Sequence, residues 1–96
     1  MSFQVLSEIV QVIHEREISQ NPNSYVFKLL NDQKGIDKLL EKLGEESVEL
    51  IIALKNGKKE LIIEEAADLL FHFILSLYKV DIDLEEVMKE LEARRK

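Results

Sequence analysis

The chain has 96 residues and a formal charge of −6; 46% of its residues are hydrophobic, 33% are charged and none is cysteine. Such a composition belongs to one folded, soluble domain over residues 1–96 rather than to a disordered chain, and the acidic balance argues against nucleic acid or an anionic membrane surface as partner. The lack of cysteine excludes disulfides, a thiolate nucleophile and a zinc–thiolate site, and the opening MSFQVLSEIVQVIHER lacks a signal-peptide layout, so a cytoplasmic location is expected.

Pro22 is the one proline, there are three glycines, and no sustained run alternates apolar with polar residues. Long helices are therefore allowed and strands are poorly supported. The expected fold is all-α, a small bundle of four to five helices. The first helix should run from Phe3 to Glu17, capped by Ser2, with Phe3, Leu6, Ile9, Val10 and Ile13 on its apolar face. Arg16 near its end is a favourable cation at a helix C-terminus. Ser19 to Ser24 (SQNPNS) reads as a loop, and Ser24 can cap a short helix through Tyr25, Val26, Phe27, Leu29 and Leu30.

Ile36 to Asn56 reads as a long helix stopped by Asn56-Gly57. Its apolar stripe is Ile36, Leu39, Leu40, Leu43, Ser47, Leu50, Ile51 and Leu54, with Glu46 wedged beside Leu39, Leu50 and Ala53. Lys38, Lys42, Glu45 and Glu49 lie along one flank, while Val48 and Ile52 are apolar on the far side. A helix apolar on two sides suggests contact with a second subunit, and a chain this small benefits from one. The last helix should run from Leu84 to about Glu92, with Asp81 or Asp83 as cap and Asp83 with Glu86 as a capping-box-like start. Arg94-Arg95-Lys96 should form a frayed tail.

Between these lies the helix Lys58 to Tyr78. Its run Leu61–Tyr78 (LIIEEAADLLFHFILSLY) is apolar except where Glu64, Glu65, Asp68 and His72 interrupt it. At about 100° per residue, Glu65 and Asp68 stand about 60° apart, with His72 between them on one stripe. A helix apolar nearly all round is normally buried, and burying two carboxylates costs several kcal/mol each unless they are paired. The most apolar part, Leu69–Tyr78, is too short to span a membrane. The stripe could instead be the solvated edge of an ordinary amphipathic helix.

If the tight Asn56-Gly57 turn folds the two long helices back on each other, Glu45, Glu46 and Glu49 face Glu65 and Asp68 at about the same height. Carboxylates converging there would repel unless they held cations. Hard oxygen ligands point to Mg²⁺ or Mn²⁺. A di-iron bundle would use Glu-x-x-His on two helices, and that spacing is absent. Metal plus flanking lysines suits phosphoryl chemistry without a Gly-rich phosphate loop. A structural acid cluster balanced by Lys38 and Lys42 remains equally open from the pattern alone.

Glu45-Glu46-x-x-Glu49 followed by Glu65-x-x-Asp68 resembles the E-E-x-x-E … E-x-x-D signature of the all-α nucleoside triphosphate pyrophosphatases. The segments Lys38 to Glu46 (KLLEKLGEE), Ala53 to Gly57 (ALKNG), Glu65 to His72 (EAADLLFH), Ser24-Tyr25 with Leu29, and Asp81 to Val87 (DIDLEEV) are similar to the phosphoribosyl-ATP pyrophosphatases of histidine biosynthesis. The resemblance covers nearly the whole chain. It departs at Val26, where Thr is usual, at Phe71, where Tyr is commoner, and in the Asn21-Pro22-Asn23 loop.

The resemblance implies Mg²⁺-dependent hydrolysis of phosphoribosyl-ATP to phosphoribosyl-AMP and pyrophosphate by a homodimeric helical bundle. It implies Glu46, Glu49, Glu65 and Asp68 as metal ligands, and Glu45 as a further ligand or the group orienting water. Lys38 and Lys42 would meet the triphosphate, and Arg16 the phosphoribosyl phosphate. Tyr25 would stack on a base, its alternative being a core tyrosine. His72 would hydrogen-bond a ligand carboxylate, its alternative being a satisfied core histidine. The competing functions are a house-cleaning pyrophosphatase for a free nucleotide such as dUTP or dCTP, and a non-enzymatic helical dimer binding a structural cation or a basic partner.

Overall fold

The structure is a computed structural model that describes residues 3–95. The described residues form five helices: α1 (Gln4–Ser19), α2 (Tyr25–Leu30), α3 (Ile36–Asn56), α4 (Lys59–Lys79) and α5 (Leu84–Arg94). The expected Ser2 cap and the terminal Lys96 lie outside the described residues. The fold is all-α, as the lack of alternation predicts.

Local chemistry sets the boundaries. The Ser24 hydroxyl accepts the Phe27 N–H at 3.3 Å and starts α2. Asp83, rather than Asp81, caps α5, with the reciprocal bond from its N–H to Glu86 completing a capping box. Asp81 instead takes a left-handed conformation (φ 59°) in the turn after α4. α3 ends where expected: Gly57 adopts φ 76° and its N–H bonds the Ala53 carbonyl. Only glycine takes that conformation without strain, and the space around its missing side chain is open. Gly57→Ala is therefore expected to cost about 1 kcal/mol by backbone strain alone, read as a lowered urea midpoint with an unchanged slope.

The core gathers at one end of the molecule. Ile13 of α1, Val26, Leu29 and Leu30 of α2, Leu39 near the start of α3, Ile74 and Leu75 of α4, and Leu84 of α5 form a buried cluster. Polar ties reinforce it. The Lys79 amine caps the Leu30 carbonyl at 2.7 Å, pinning the end of α2 to α4. The Tyr78 hydroxyl donates to Glu17 at 2.8 Å and lies 2.9 Å from His14 Nδ1, joining α4 to α1. Burial and the neighbouring Glu17 carboxylate push Tyr78 up to about 12.

α3 and α4 pack antiparallel and extend beyond that core as a two-helix arm. The radius of gyration, 14.6 Å, exceeds the roughly 13 Å of a compact chain of this length. Two expectations are corrected here. First, α4 is not buried throughout: His72, Ile74 and Leu75 are inside, but Leu61, Ile63 and Leu70 are exposed. Second, α3 buries the line Leu39, Glu46 and Ala53, and leaves Leu40, Ile51 and Leu54 of the expected stripe exposed. A helix with one neighbour along most of its length can cover only a narrow line; the rest of its apolar surface stays open. Val48 and Ile52 are open too, so the face that was expected to meet a second subunit is uncovered in the single chain.

Candidate functional site

The α3/α4 arm carries the acids. Glu46 and Glu49 are a turn apart on α3, and Glu65 faces them from α4. One carboxylate oxygen from each lies within 4.8 Å of the other two. Glu46 is 7% exposed, Glu65 half-buried and Glu49 at the solvent edge. The place of Glu46 between Leu39 and Ala53 dictates its burial, because all three share the line that α4 covers.

This concentration of charge perturbs titration. Glu46 is raised above the ordinary carboxylate range, first by burial, then by its closeness to Glu49, with the Asp68 charge adding and His72 opposing. Glu65 is raised for the same reasons: burial, Glu49, then the charges of Asp68 and Glu46. One oxygen on each, Glu46 Oε2 and Glu65 Oε2, is buried with no hydrogen-bond partner among the described residues. Carboxylate oxygens left so are costly. The donor set is all oxygen, matching a hard divalent cation and excluding a soft one.

Asp68 stands apart from this trio. Its side chain is exposed, though its charge is felt by Glu46 and Glu65. Glu45 also lies outside the trio; its carboxylate is directed to Lys42, at 3.3 Å. The helix turn separates it from Glu46 by about 100°. Three carboxylates thus meet where four or five were expected to converge. The Lys42 amine bridges Glu45 and, at 3.7 Å, Glu46. Burial pulls that amine down, but the Glu45 bond and the charges of Tyr25, Glu45 and Glu46 outweigh it, and the net shift is upward. It therefore stays cationic at neutral pH. Lys38 is half-buried on the same flank, one turn earlier.

Arg16 and Tyr25 come together. They line a cavity of about 320 Å³ with Ser19, Asn21, Asn23, Ser24 and Val26. The Asn21 side chain accepts the Asn23 N–H at 2.9 Å and orders this loop. Tyr25 also belongs to the acid site, since its hydroxyl feels the charges of Lys42, Glu46, Asp68 and Glu45. It is therefore not a core tyrosine: it is half exposed.

His72 is 5% exposed, and it does not bond a carboxylate. Its Nδ1 lies 2.7 Å from the Asp68 backbone carbonyl, and its Nε2 lies 2.8 Å from the Tyr25 hydroxyl. The satisfied-histidine alternative describes it better than a bond to a ligand carboxylate. The sequence offered no sign of the Tyr25–His72 bond, whose partners are 47 positions apart.

Comparison with known proteins covers nearly the whole chain. The family described as "Phosphoribosyl-ATP pyrophosphohydrolase" matches residues 6–95. A phosphoribosyl-ATP pyrophosphatase of Methanoregula boonei is 52% identical over 96 residues, covering 100% of this chain and 92% of that relative. One of Methanocella arvoryzae is 50% identical over 92 residues, covering 96% of this chain and 97% of its own length. One of Methanosarcina barkeri is 42% identical over 90 residues, with 94% and 86% covered. No helix among the described residues is long and apolar enough to cross a membrane.

Proposed function

From the premise that the chain belongs to the phosphoribosyl-ATP pyrophosphohydrolase family, we propose how its residues carry out hydrolysis of phosphoribosyl-ATP to phosphoribosyl-AMP and pyrophosphate in histidine biosynthesis. The observation that carries the reading is the convergence of Glu46, Glu49 and Glu65 with two buried, unpartnered oxygens. A cluster balanced by its flanking lysines alone leaves those two oxygens unsatisfied, since Lys42 reaches only the other oxygen of Glu46.

Glu46, Glu49 and Glu65, joined by Asp68 once its exposed side chain turns inward, would hold Mg²⁺, or Mn²⁺, which when bound screens the phosphate charge and polarises the anhydride. Lys42, poised against Glu45 and Glu46, swings to the triphosphate oxygens with Lys38 beside it. Releasing Lys42 leaves the Glu45 carboxylate at the solvent edge to orient the attacking water. Water adds across the α–β anhydride, and pyrophosphate departs. Arg16 receives the phosphoribosyl phosphate in the loop-lined cavity next to Tyr25. The reaction requires only a nucleotide and a divalent cation, both at hand in the cytoplasm, where the enzyme would act.

The open apolar faces of α3 and α4 would be covered by a second copy. Leu43, Ser47, Ala66, Leu69, Leu70 and Phe73 line a groove of about 540 Å³ there. An apolar surface of this kind on a small chain marks an association face.

Pyrophosphate release with Mg²⁺ tests the reading, with phosphoribosyl-ATP beside ATP, dUTP and dCTP and an EDTA control. Turnover confined to phosphoribosyl-ATP and abolished by EDTA is the expected result. Turnover of dUTP or dCTP instead would move the protein to the house-cleaning branch. No turnover by folded protein would sink the enzyme reading.

A further inference from the structure

We propose that His72 is a positioning residue for substrate recognition: it ties down the Tyr25 hydroxyl so that the exposed ring surface of Tyr25 is what meets the planar base of the nucleotide. This rests on the proposed hydrolase reading and adds to it a residue that touches neither metal nor phosphate.

Hydrogen-bond chemistry fixes the direction of the tie. The Asp68 backbone carbonyl can only accept, so His72 Nδ1 carries the proton and donates across 2.7 Å. In the neutral imidazole the lone pair then sits on Nε2, and the Tyr25 hydroxyl must donate to it across 2.8 Å. That hydroxyl keeps its proton through neutral pH, because burial, aided by the charges of Glu46, Asp68 and Glu45, outweighs the opposing charge of Lys42. The imidazole is itself held in place. Next to Phe71 in sequence, its ring lies edge-on to Phe71, at 5.4 Å between centroids and 90°, and to Tyr25, at 5.9 Å and 87°.

The tie has two effects on Tyr25. Its hydroxyl would otherwise seek the nearby carboxylates or the substrate phosphates; bound to a buried histidine it does neither. Its ring, half exposed, is held as one wall of the cavity that Arg16 shares. The ring thus lies between the loop-lined cavity, assigned to the phosphoribosyl end, and the acids, assigned to the triphosphate. The part of the substrate between those ends is the base, and a fixed aromatic ring is a surface on which a base stacks.

The test is steady-state kinetics with phosphoribosyl-ATP and Mg²⁺ on wild type, Tyr25→Leu, Tyr25→Phe, His72→Leu, His72→Gln and the double variant Tyr25→Phe/His72→Leu. Glu46→Gln serves as control, and circular dichroism checks folding. Tyr25→Leu should raise KM about tenfold with kcat within about twofold, the loss of one stacked ring. Tyr25→Phe and His72→Leu should each raise KM about threefold, and the double variant no further, because both remove the same bond. His72→Gln, which retains an acceptor, should recover most of the KM. Should His72→Leu misfold, Tyr25→Phe still reports loss of the tie. An unchanged KM in Tyr25→Phe, additive effects in the double variant, or a fall in kcat alone in His72→Leu would overturn the proposal. Wild-type protein inactive on phosphoribosyl-ATP, or Glu46→Gln fully active, would instead indict the underlying reading of the site.

Discussion

Glu46→Gln should abolish turnover and, without metal, make the protein more stable. The two effects have one cause. Glu46 is the most buried of the three converging acids, and one of its oxygens has no partner. Glutamine keeps the shape and removes the charge. Losing a charged ligand of the proposed metal site should cut kcat/KM on the order of 10³-fold or more. Relieving a buried, repelled carboxylate should stabilise the metal-free fold by about 1–2 kcal/mol, and in a chain this size each kcal/mol moves the melting point by about 4–8 °C.

The sign of the pH dependence follows. Glu46 is raised in the folded protein relative to an ordinary carboxylate. Between its ordinary and raised values the native state holds a proton that the unfolded chain has released. Its contribution to stability is therefore full below the ordinary carboxylate range and is lost as pH rises through the raised value. The melting-point gap between Glu46→Gln and wild type, both metal-free, should widen from pH 5 to pH 8. Mg²⁺ should close the gap at pH 8 by stabilising wild type alone, and should bind more weakly as pH falls, because protons compete for the same oxygens. A Glu46→Gln protein that hydrolyses at the wild-type rate would show the metal-site assignment to be wrong.

Leu70→Asp should split the proposed dimer. Leu70 is 43% exposed on α4, in the apolar groove with Leu43, Leu69 and Phe73. A two-fold interface carries each substitution twice. Burying an unpaired carboxylate costs several kcal/mol per copy, so the dimer dissociation constant should rise by a factor on the order of 10³ or more. Sedimentation of wild type should show dimer at micromolar concentration and of Leu70→Asp monomer. Turnover should fall with it, because the open arm that carries Glu46, Glu49 and Glu65 would lose its outer support. An unaltered dimer in Leu70→Asp, or a monomeric wild type, would move the association face elsewhere or remove it.

What could be read from the sequence was local. The Asn56-Gly57 stop, the Ser24 cap and the Asp83/Glu86 box each depend on residues within a turn of one another, and each is where the pattern placed it. The burial of Glu46 was legible too, because it shares a helix line with Leu39 and Ala53. Periodicity also marked Leu40, Ile51 and Leu54 as apolar, but it cannot say whether an apolar face meets its own chain or another one. Here its own chain is too small to reach them. Helical phase placed Glu65 and Asp68 on one stripe, yet only Glu65 joins Glu46 and Glu49, since a spread of about 60° is enough to turn one carboxylate outward. The Tyr25–His72 tie depends on where α2 lies on α4, a matter of tertiary packing.

The α3/α4 arm has a kinetic consequence. Its two helices are joined by a turn of two residues, so the contacts between them close short loops and should form early in folding. The same early step draws three carboxylates together, before α1, α2 and α5 have built the core around Ile13 and Leu75. Repulsion at the site would then fall in the folding nucleus, where it should slow the forward rate more than it speeds unfolding. A divalent cation captured by the half-formed arm would lift that barrier, and the ion proposed for catalysis would also set how fast the chain reaches its native state.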